Sequence, residues 1–187
     1  MSRGRLIAVV VGPSGVGKDS VMAGLVLRRA KLHLVRRMIT RPANVGGEAF
    51  DAVTEQEFAQ HVANQTFVLH WQAHGLRYGI PHKQLSCLAR GDDALVNLSR
   101  GVLKTADQQF FKMIVLSLTA PSSVLVTRLL GRGRESAEQI SARMARSGFD
   151  LPKGLQVLQV DNSGTLDQTI DTTLSALYPD SPNREIS

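Results

Sequence analysis

The sequence of 187 residues contains a single cysteine, and its apolar runs are short. Cys87 cannot form a disulfide within the chain, and one thiol supplies too few ligands for a structural zinc site. A reducing, cytoplasmic compartment is therefore expected. The apolar run Leu6–Val11 is too short for the central region of a signal peptide, and no later run is long enough to cross a membrane. We expect no membrane partner.

Acidic and aromatic residues are also scarce. Asp and Glu number 16 against 22 Lys and Arg, which gives a net charge of +6, and aromatic residues make up 5% of the chain. No basic run is interleaved with aromatic residues, and the sequence has no zinc-finger or ribonucleoprotein motif. Binding to nucleic acid driven by charge is therefore the alternative we rank last, and no nucleic-acid partner is expected.

Most of the basic residues are arginines, with sixteen arginines against six lysines. A planar guanidinium holds phosphate oxygens through two parallel hydrogen bonds, whereas a lysine ammonium acts as a point charge. The excess of arginine suits an enzyme with highly phosphorylated small substrates. A merely solvated basic surface is the alternative.

Apolar, β-branched runs alternate with segments of helical spacing. The runs lie at Leu6–Val11, 94–98, 113–118 and 155–160, and they predict an α/β fold with a parallel sheet and helices on both faces. Helix starts are indicated by three capping boxes and by the Pro121–Ser122 pair. The capping boxes are Thr54 with Glu57, Ser136 with Gln139, and Thr165 with Gln168.

The chain is predicted to form one domain over residues 1–187. Between about 36 and 82 the helical periodicity weakens and glycines and single aromatic residues appear, which predicts a small, irregular or β-rich insertion. Residues from about 131 to 148 form a short, charged, arginine-rich segment, and 179–187 are expected to be a frayed tail.

The stretch "GPSGVGKDSV" follows the first predicted strand and matches G-x-x-x-x-G-K through Gly12, Gly17 and Lys18. Glycines let backbone amides surround phosphates, the following helix adds the positive end of its dipole, and the lysine bridges phosphate oxygens. We predict a nucleotide-binding loop, with a ligand-free glycine turn as the alternative. Its residues are Gly12, Pro13, Ser14, Gly15, Val16, Gly17, Lys18, Asp19 and Ser20.

Asp19 stands where such loops carry the Ser or Thr that ligates magnesium. A carboxylate is also a hard oxygen ligand, and the next residue, Ser20, can supply the hydroxyl. The strand "ALVNLSR" has Asn97 and Ser99 where a metal-orienting acid would be expected. Our hypothesis is that Asp19 takes over part of the work of holding the metal.

The order of "GPSGVGK", "TRP…GE", "HGLRYGIP" and "RLLGRGRESAEQISARM" resembles guanylate kinase. Within that superfamily, "GPSGVGKDS", "ITRPANVGGE", "HWQAHGLRYG", "LVNLSR" and "RGRESAEQI" resemble the ribose 1,5-bisphosphate phosphokinases of phosphonate breakdown. The resemblance implies a P-loop kinase core, an insertion that binds the acceptor, and an arginine-rich lid.

The resemblance also implies a reaction. ATP, with Mg²⁺, would phosphorylate the 1-phosphate of ribose 1,5-bisphosphate, giving 5-phosphoribosyl 1-diphosphate (PRPP) and ADP. Guanylate kinases read guanine with acidic side chains, and the corresponding positions here fall near Gln72 and at Asn97 and Ser99, so the base-reading acids are missing. The alternatives are a nucleoside monophosphate kinase, most simply guanylate kinase, and a catalytically inactive guanylate-kinase-like interaction module. Such modules typically lose the loop lysine or the lid arginines.

Roles for single residues follow from the same resemblance. The catalytic set is Lys18, Arg132, Arg134 and Arg143, and the three arginines would close with the lid onto the transferring group. The substrate-binding set is Arg37, Arg41, Glu48, Gln72, His74, Tyr78, Asn97 and Ser99. Asn162 is either an adenine contact or a turn-forming residue.

Three further side chains have open or structural interpretations. Arg128 is an uncertain lid candidate that could equally pair with acids on a helix surface. Trp71 and Cys87 are interpreted as packing residues. The oligomeric state is left open, with a homodimer as one alternative.

Overall fold

The computed structural model describes residues 4–11, 16–42, 49–131 and 150–179. Nine strands and six α-helices follow one another along this part of the chain, with short 3₁₀ turns before α3 and α4. In chain order they are β1 (Leu6–Val11), α1 (Lys18–Arg28), β2 (Leu32–Leu34), β3 (Met38–Ile39), β4 (Asp51–Ala52), α2 (Glu55–Ala63), β5 (Phe67–Ala73), β6 (Leu76–Pro81), α3 (Ser86–Ala89), β7 (Asp93–Asn97), α4 (Leu103–Gln109), β8 (Met113–Thr119), α5 (Ser122–Leu130), β9 (Val157–Asp161) and α6 (Leu166–Leu177).

The core is a parallel sheet of five strands in the order β2-β7-β1-β8-β9. The predicted α/β class with a parallel sheet is confirmed, and the four predicted strands are present with their ends shifted by at most two residues. Strand β2 was not predicted, because its three residues, Leu32–Leu34, are too few to show a periodic pattern.

Both faces of this sheet are buried, which explains why its strands read as continuous apolar runs. Successive side chains of β1 point to opposite faces: Leu6 and Ala8 belong to one cluster of buried residues, and Ile7 and Val9 belong to the other. Helices α1, α5 and α6 pack on the Ile7 face, and α3 and α4 pack on the Leu6 face. Cys87 of α3 is buried there, as expected. None of the described helices has the length and apolar character needed to span a bilayer.

The segment predicted as an insertion contributes a second sheet of four strands, in the order β4-β3-β6-β5. β3 pairs with β4 in parallel and with β6 antiparallel, and β5 and β6 form a hairpin. Helix α2 covers this sheet with Phe58, whose ring lies 4.8 Å from that of Phe67. At the hairpin turn His74 and Gly75 have φ values of 52° and 74°, and two successive positive φ angles are what a tight two-residue hairpin turn requires.

Two of the three predicted capping boxes are formed. At the start of α2 the amide of Glu57 donates to the hydroxyl of Thr54, and the Thr54 amide donates to the Glu57 carboxylate. Thr165 and Gln168 make the same exchange at the start of α6. The third box, Ser136 with Gln139, lies outside the described residues.

At the amino-terminal edge of the parallel sheet, a buried carboxylate connects the residue before β1 with the residue after α6. Asp93, at the start of β7, accepts hydrogen bonds from the guanidinium of Arg5 at 2.7 and 3.1 Å, from the Arg5 amide, and from the hydroxyl of Tyr178 at 2.8 Å. Burial by itself would raise the pKa of Asp93, but these donors outweigh it and hold that pKa below its ordinary value. Burial and the bond to Asp93 together raise the pKa of Tyr178.

Candidate active site

Polar side chains collect at the carboxyl-terminal edge of the parallel sheet. Strand β1 leads into the predicted phosphate loop, β7 is followed by Ser99, and β9 is followed by Asn162. Because the carboxyl ends of parallel strands share one edge, the crevice outside that edge is where open α/β sheets bind ligands. At this edge the phosphate loop contacts the residue after β9, and the insertion contacts the segment after β7.

The last turn of the phosphate loop is described from Val16 onward. Gly17 has φ +85° and immediately precedes α1, and its carbonyl accepts the amide of Val21 at 3.0 Å. A side chain at this φ would be strained, and a Cβ on Gly17 would lie 2.9 Å from Nδ2 of Asn162. The glycine predicted from the motif is therefore required by the backbone. Gly12, Pro13, Ser14 and Gly15 lie outside the described residues.

Lys18, Asp19 and Ser20 form the first turn of α1. The Lys18 ammonium lies 3.3 Å from the Asp19 carboxylate, and the exposed fractions of the two side chains are 18% and 49%. Ser20 is exposed. A carboxylate near the positive end of a helix dipole is stabilised, so Asp19 is compatible with the start of α1.

Asp19 and Ser20 together offer hard oxygen ligands, which fits a magnesium ion. Within the described residues no three His, Cys, Asp or Glu side chains are grouped closely enough to hold a metal. Mg²⁺ commonly binds through one or two carboxylates together with substrate phosphates, and a single protein carboxylate beside a phosphate loop meets that pattern.

Asn162 is 4% exposed and forms contacts in several directions. Its side-chain amide donates to the carbonyl of Val16 in the phosphate loop, and its side-chain oxygen accepts the hydroxyl of Thr169 at 2.7 Å. In the structure the Asn162 side chain therefore contacts a backbone carbonyl of the phosphate loop. The adenine contact and the simple turn remain predictions from the sequence.

The insertion meets the core through a stack of side chains. The indole of Trp71 lies parallel to the ring of Tyr78, with centroids 5.3 Å apart and an interplanar angle of 9°. The Arg37 guanidinium lies 5.2 Å from the centroid of the Tyr78 ring. Nε1 of Trp71 donates to the Ser99 hydroxyl at 2.8 Å. Arg37, Tyr78 and Ser99 are therefore brought together, through the Trp71 side chain that was interpreted as packing.

Two further substrate-set residues are close in sequence to this stack: Asn97 lies two residues before Ser99, and Arg41 lies two residues after Ile39, which pairs with Tyr78. Asn97, the last residue of β7, is 8% exposed. The Arg41 guanidinium lies 4.2 Å from the centroid of the Phe50 ring, and its Nε is buried with no hydrogen-bond partner among the described residues. A buried N–H without an acceptor is costly, and an anionic ligand would supply one.

Two predicted substrate residues lie apart from the stack. Gln72 is exposed and, by strand alternation, faces away from Trp71. Its cross-strand partner Arg77 lies over the ring of Phe58 in α2, so this face of the hairpin packs toward the helix. His74 is exposed in the hairpin turn. The structure does not bring Gln72 or His74 together with Tyr78 and Ser99.

Several predicted site residues lie outside the described part of the chain. They are Glu48 of the insertion and the lid arginines Arg132, Arg134 and Arg143. Their roles remain predictions.

Two residues at the site were missed or misjudged from the sequence. Thr169, 2% exposed, holds the oxygen of the Asn162 side chain. The sequence does contain an indication of this role, because Thr169 is a polar residue on the apolar face of α6. A buried polar group is almost always hydrogen-bonded, so a partner could have been expected. Among the described residues Arg128 pairs with no acid: its guanidinium donates to the backbone carbonyl of Asn162 at 2.7 Å and to that of Gly164 at 3.5 Å.

A parallel sheet whose first strand leads through G-x-x-x-x-G-K into a helix defines the class of P-loop nucleotide-binding proteins. The family model described as guanylate kinase matches residues 4–172. The chain belongs to the guanylate kinase family, and the resemblance inferred from its motifs is confirmed.

Individual relatives extend the comparison. The chain is 49% identical over 170 residues to a protein of Ruegeria sp. (strain TM1040) named ribose 1,5-bisphosphate phosphokinase PhnN, covering 90% of this chain and 89% of that protein. It is 40% identical over 171 residues to a bifunctional ribose 1,5-bisphosphokinase-thymidine phosphorylase of Cupriavidus pinatubonensis, covering 90% of this chain but 28% of that protein. The crystal structure of guanylate kinase from Anaplasma phagocytophilum superposes with a TM-score of 0.65 at 15% identity, covering 96% of this chain and 87% of that one, which shows the shared fold.

Proposed function

We propose that this protein transfers the γ-phosphoryl group of ATP onto the 1-phosphate of ribose 1,5-bisphosphate, giving 5-phosphoribosyl 1-diphosphate and ADP. The observation that carries the proposal is the junction of the insertion with strand β7. Its side chains are an amide at Asn97, a hydroxyl at Ser99 already bonded to Trp71, and the guanidinium of Arg37 beside Tyr78. Such groups suit phosphate oxygens, and none of these three side chains is a charged acceptor for the N–H groups of a purine.

The names of the relatives support the same substrate. A protein 49% identical over most of both chains carries the name ribose 1,5-bisphosphate phosphokinase, and the bifunctional relative carries that activity in its name as well. The guanylate kinase family membership supports a phosphotransferase with a phosphate group as acceptor.

The proposed reaction requires the protein mainly to position the two substrates. The acceptor is an ionised phosphate oxygen, so no general base is needed to remove a proton. The difficulty is that two polyanions must meet in line, and catalysis then consists of holding them and neutralising their charge.

Each end of the site has a proposed task. Lys18 and the loop amides hold the phosphates of ATP, and Arg37, Arg41 and Tyr78 hold the phosphates of the acceptor. The three lid arginines, Arg132, Arg134 and Arg143, would close over the transferring group and exclude water. Magnesium, held by Asp19 and Ser20 together with phosphate oxygens, would neutralise charge on the β- and γ-phosphates.

An ADP-release assay with ribose 1,5-bisphosphate and with GMP tests the substrate. We expect kcat/KM for the sugar bisphosphate to exceed that for GMP by about 100-fold or more, because each lost charge-assisted hydrogen bond to guanine costs about 1.5–3 kcal/mol. Phosphorus NMR of the products should show a new diphosphate with one phosphate carried on ribose C5. Robust GMP turnover would favour guanylate kinase, and failure to bind ATP at millimolar concentration would favour the inactive module.

The role of Asp19 in holding the metal is tested by Asp19→Ala. Because the carboxylate would be removed and the Ser20 hydroxyl kept, we expect the magnesium concentration for half-maximal activity to rise about tenfold or more, equivalent to about 1.4 kcal/mol or more of metal binding. The measurement is a magnesium titration at saturating ATP. Asp107→Ala, which removes an exposed acid on α4, is the matched control. Unchanged magnesium dependence in Asp19→Ala would remove Asp19 from the metal site.

A further inference from the structure

Asn162 lies where four parts of the fold meet. It follows β9, and its backbone amide donates to the carbonyl of Thr119 in β8 at 2.7 Å. Its backbone carbonyl accepts from Arg128 of α5 at 2.7 Å. Its side chain contacts the phosphate loop and α6. The residue is buried, and both ends of its side-chain amide are bonded to protein groups.

The orientation of the Asn162 amide is determined by its partners. The Val16 carbonyl can only accept, so the NH₂ group must face the phosphate loop. The oxygen then faces Thr169, whose hydroxyl donates to it at 2.7 Å. Thr169 is itself 2% exposed, so neither side chain can exchange its partner for water. The other acceptor that the structure gives the Thr169 hydroxyl, the Thr165 carbonyl one turn back, lies further away, at 3.2 Å. The pair forms a fixed connection from α6 to the loop.

This connection fixes the orientation of one peptide group, at the point where the phosphate loop enters α1. The Val16 carbonyl belongs to the peptide bond before Gly17, whose φ is +85° and which leads directly into Lys18. When the successive N–H groups of a loop face an anion, the carbonyls must find partners on the other side. Asn162 provides that partner for Val16, and its Nδ2 closes the space that a Gly17 side chain would occupy.

We infer that Asn162 is a positioning residue for nucleotide binding: through the Val16 carbonyl it fixes the Val16–Gly17 peptide, the described end of the phosphate loop, and it is itself oriented by Thr169. This inference rests on the proposed function, because it takes the loop to bind the phosphates of ATP. Preorganised donors bind an anion without the cost of ordering the loop at that moment. The loss of the connection should therefore appear in the affinity for ATP.

The experiment compares three variants of the full chain. Asn162→Asp keeps the shape but replaces the NH₂ donor with an oxygen, and we expect the Kd for MgATP to rise about tenfold or more. Because this change also adds a negative charge, the rise supports the inference only together with that of Thr169→Val, which adds none. Thr169→Val removes the hydroxyl that orients the amide, with an expected rise of about fivefold. Thr173→Val is the matched control: this buried hydroxyl, one turn further along α6, donates to the Thr169 carbonyl and not to Asn162. Its Kd should stay within about twofold of that of the wild type.

Calorimetric titration with MgATP gives the Kd, and thermal unfolding gives the stability of each variant. The KM for ribose 1,5-bisphosphate should stay within about twofold in Thr169→Val, since the acceptor residues are untouched. Equal increases of Kd in Thr169→Val and Thr173→Val would show that the effect is general destabilisation, and this would overturn the inference. Unchanged Kd values in both Asn162→Asp and Thr169→Val would overturn it as well. If Asn162→Asp does not fold, the two threonine variants decide. A wild-type protein that binds no ATP would instead refute the proposed function.

Discussion

Replacing Lys18 with alanine is expected to lower kcat/KM for ATP-dependent phosphoryl transfer about 1000-fold, at the upper end of the effect of removing one electrostatic stabiliser. The Lys18 ammonium stands at the first residue of α1, directly after the left-handed Gly17. Its carboxylate neighbour, Asp19, is half exposed and 3.3 Å away, so Lys18 contributes little to the fold. The large effect should fall on catalysis.

Steady-state kinetics with ATP and ribose 1,5-bisphosphate measure the effect, and thermal unfolding checks the fold. We expect the melting temperature of Lys18→Ala to change by no more than about 2 °C, because an ion pair with a half-exposed carboxylate contributes little to stability. Lys104→Ala, an exposed lysine on α4, is the matched control and should retain full activity. A decrease in kcat/KM of less than about tenfold would show that Lys18 does not act on the transferring group.

The largest effect on stability is expected for Asp93→Asn. The carboxylate accepts two hydrogen bonds from the Arg5 guanidinium and one from Tyr178, and its side chain is 9% exposed. The substitution leaves the Arg5 charge uncompensated, and because the Arg5 side chain is 25% exposed and stays partly solvated, we expect a cost of about 3 kcal/mol, the low end for a buried ion pair. For a chain of this length that corresponds to a decrease in melting temperature of roughly 10 °C.

The pH dependence of that effect follows from the lowered pKa of Asp93. Because the folded pKa lies below the unfolded one, the carboxylate stabilises the fold fully above the unfolded pKa, and this contribution is lost as the pH falls through the folded pKa. The difference in unfolding free energy between wild type and Asp93→Asn should therefore be constant near neutral pH and shrink below about pH 4. Asp107→Asn should show no such difference. A gap that persisted at low pH would contradict the assignment.

Local features of the fold were predictable from the sequence. The Thr54–Glu57 and Thr165–Gln168 boxes act over three residues, so their geometry is encoded within a single helical turn. The apolar run Leu6–Val11 predicted a strand buried on both faces, and its two sets of alternating side chains indeed enter different clusters. Strand β2 shows the limit, because it becomes a strand only by pairing with β7.

The contacts that complete the site are long-range and could not be predicted. Asn162 and Val16 are 146 residues apart, and Trp71 and Ser99 are 28 apart. The phosphate-loop motif and its lysine were predictable from the local sequence. Whether the Asn162 amide faces a nucleotide or the loop was not, because it depends on this long-range contact. Likewise nothing in the local sequence "RGDDA" distinguishes Asp93 from an exposed acid. Its hydrogen-bond partners Arg5 and Tyr178 are 88 and 85 residues away.

The stack between the insertion and the core has an optical consequence. The chain contains one tryptophan, and the Nε1–H of Trp71 is bonded to Ser99 while its ring lies against Tyr78. All indole fluorescence of this protein therefore originates at the junction where the acceptor is proposed to bind. A change in the emission wavelength on adding a sugar bisphosphate would report rearrangement of that junction directly, in the native chain and without an attached dye.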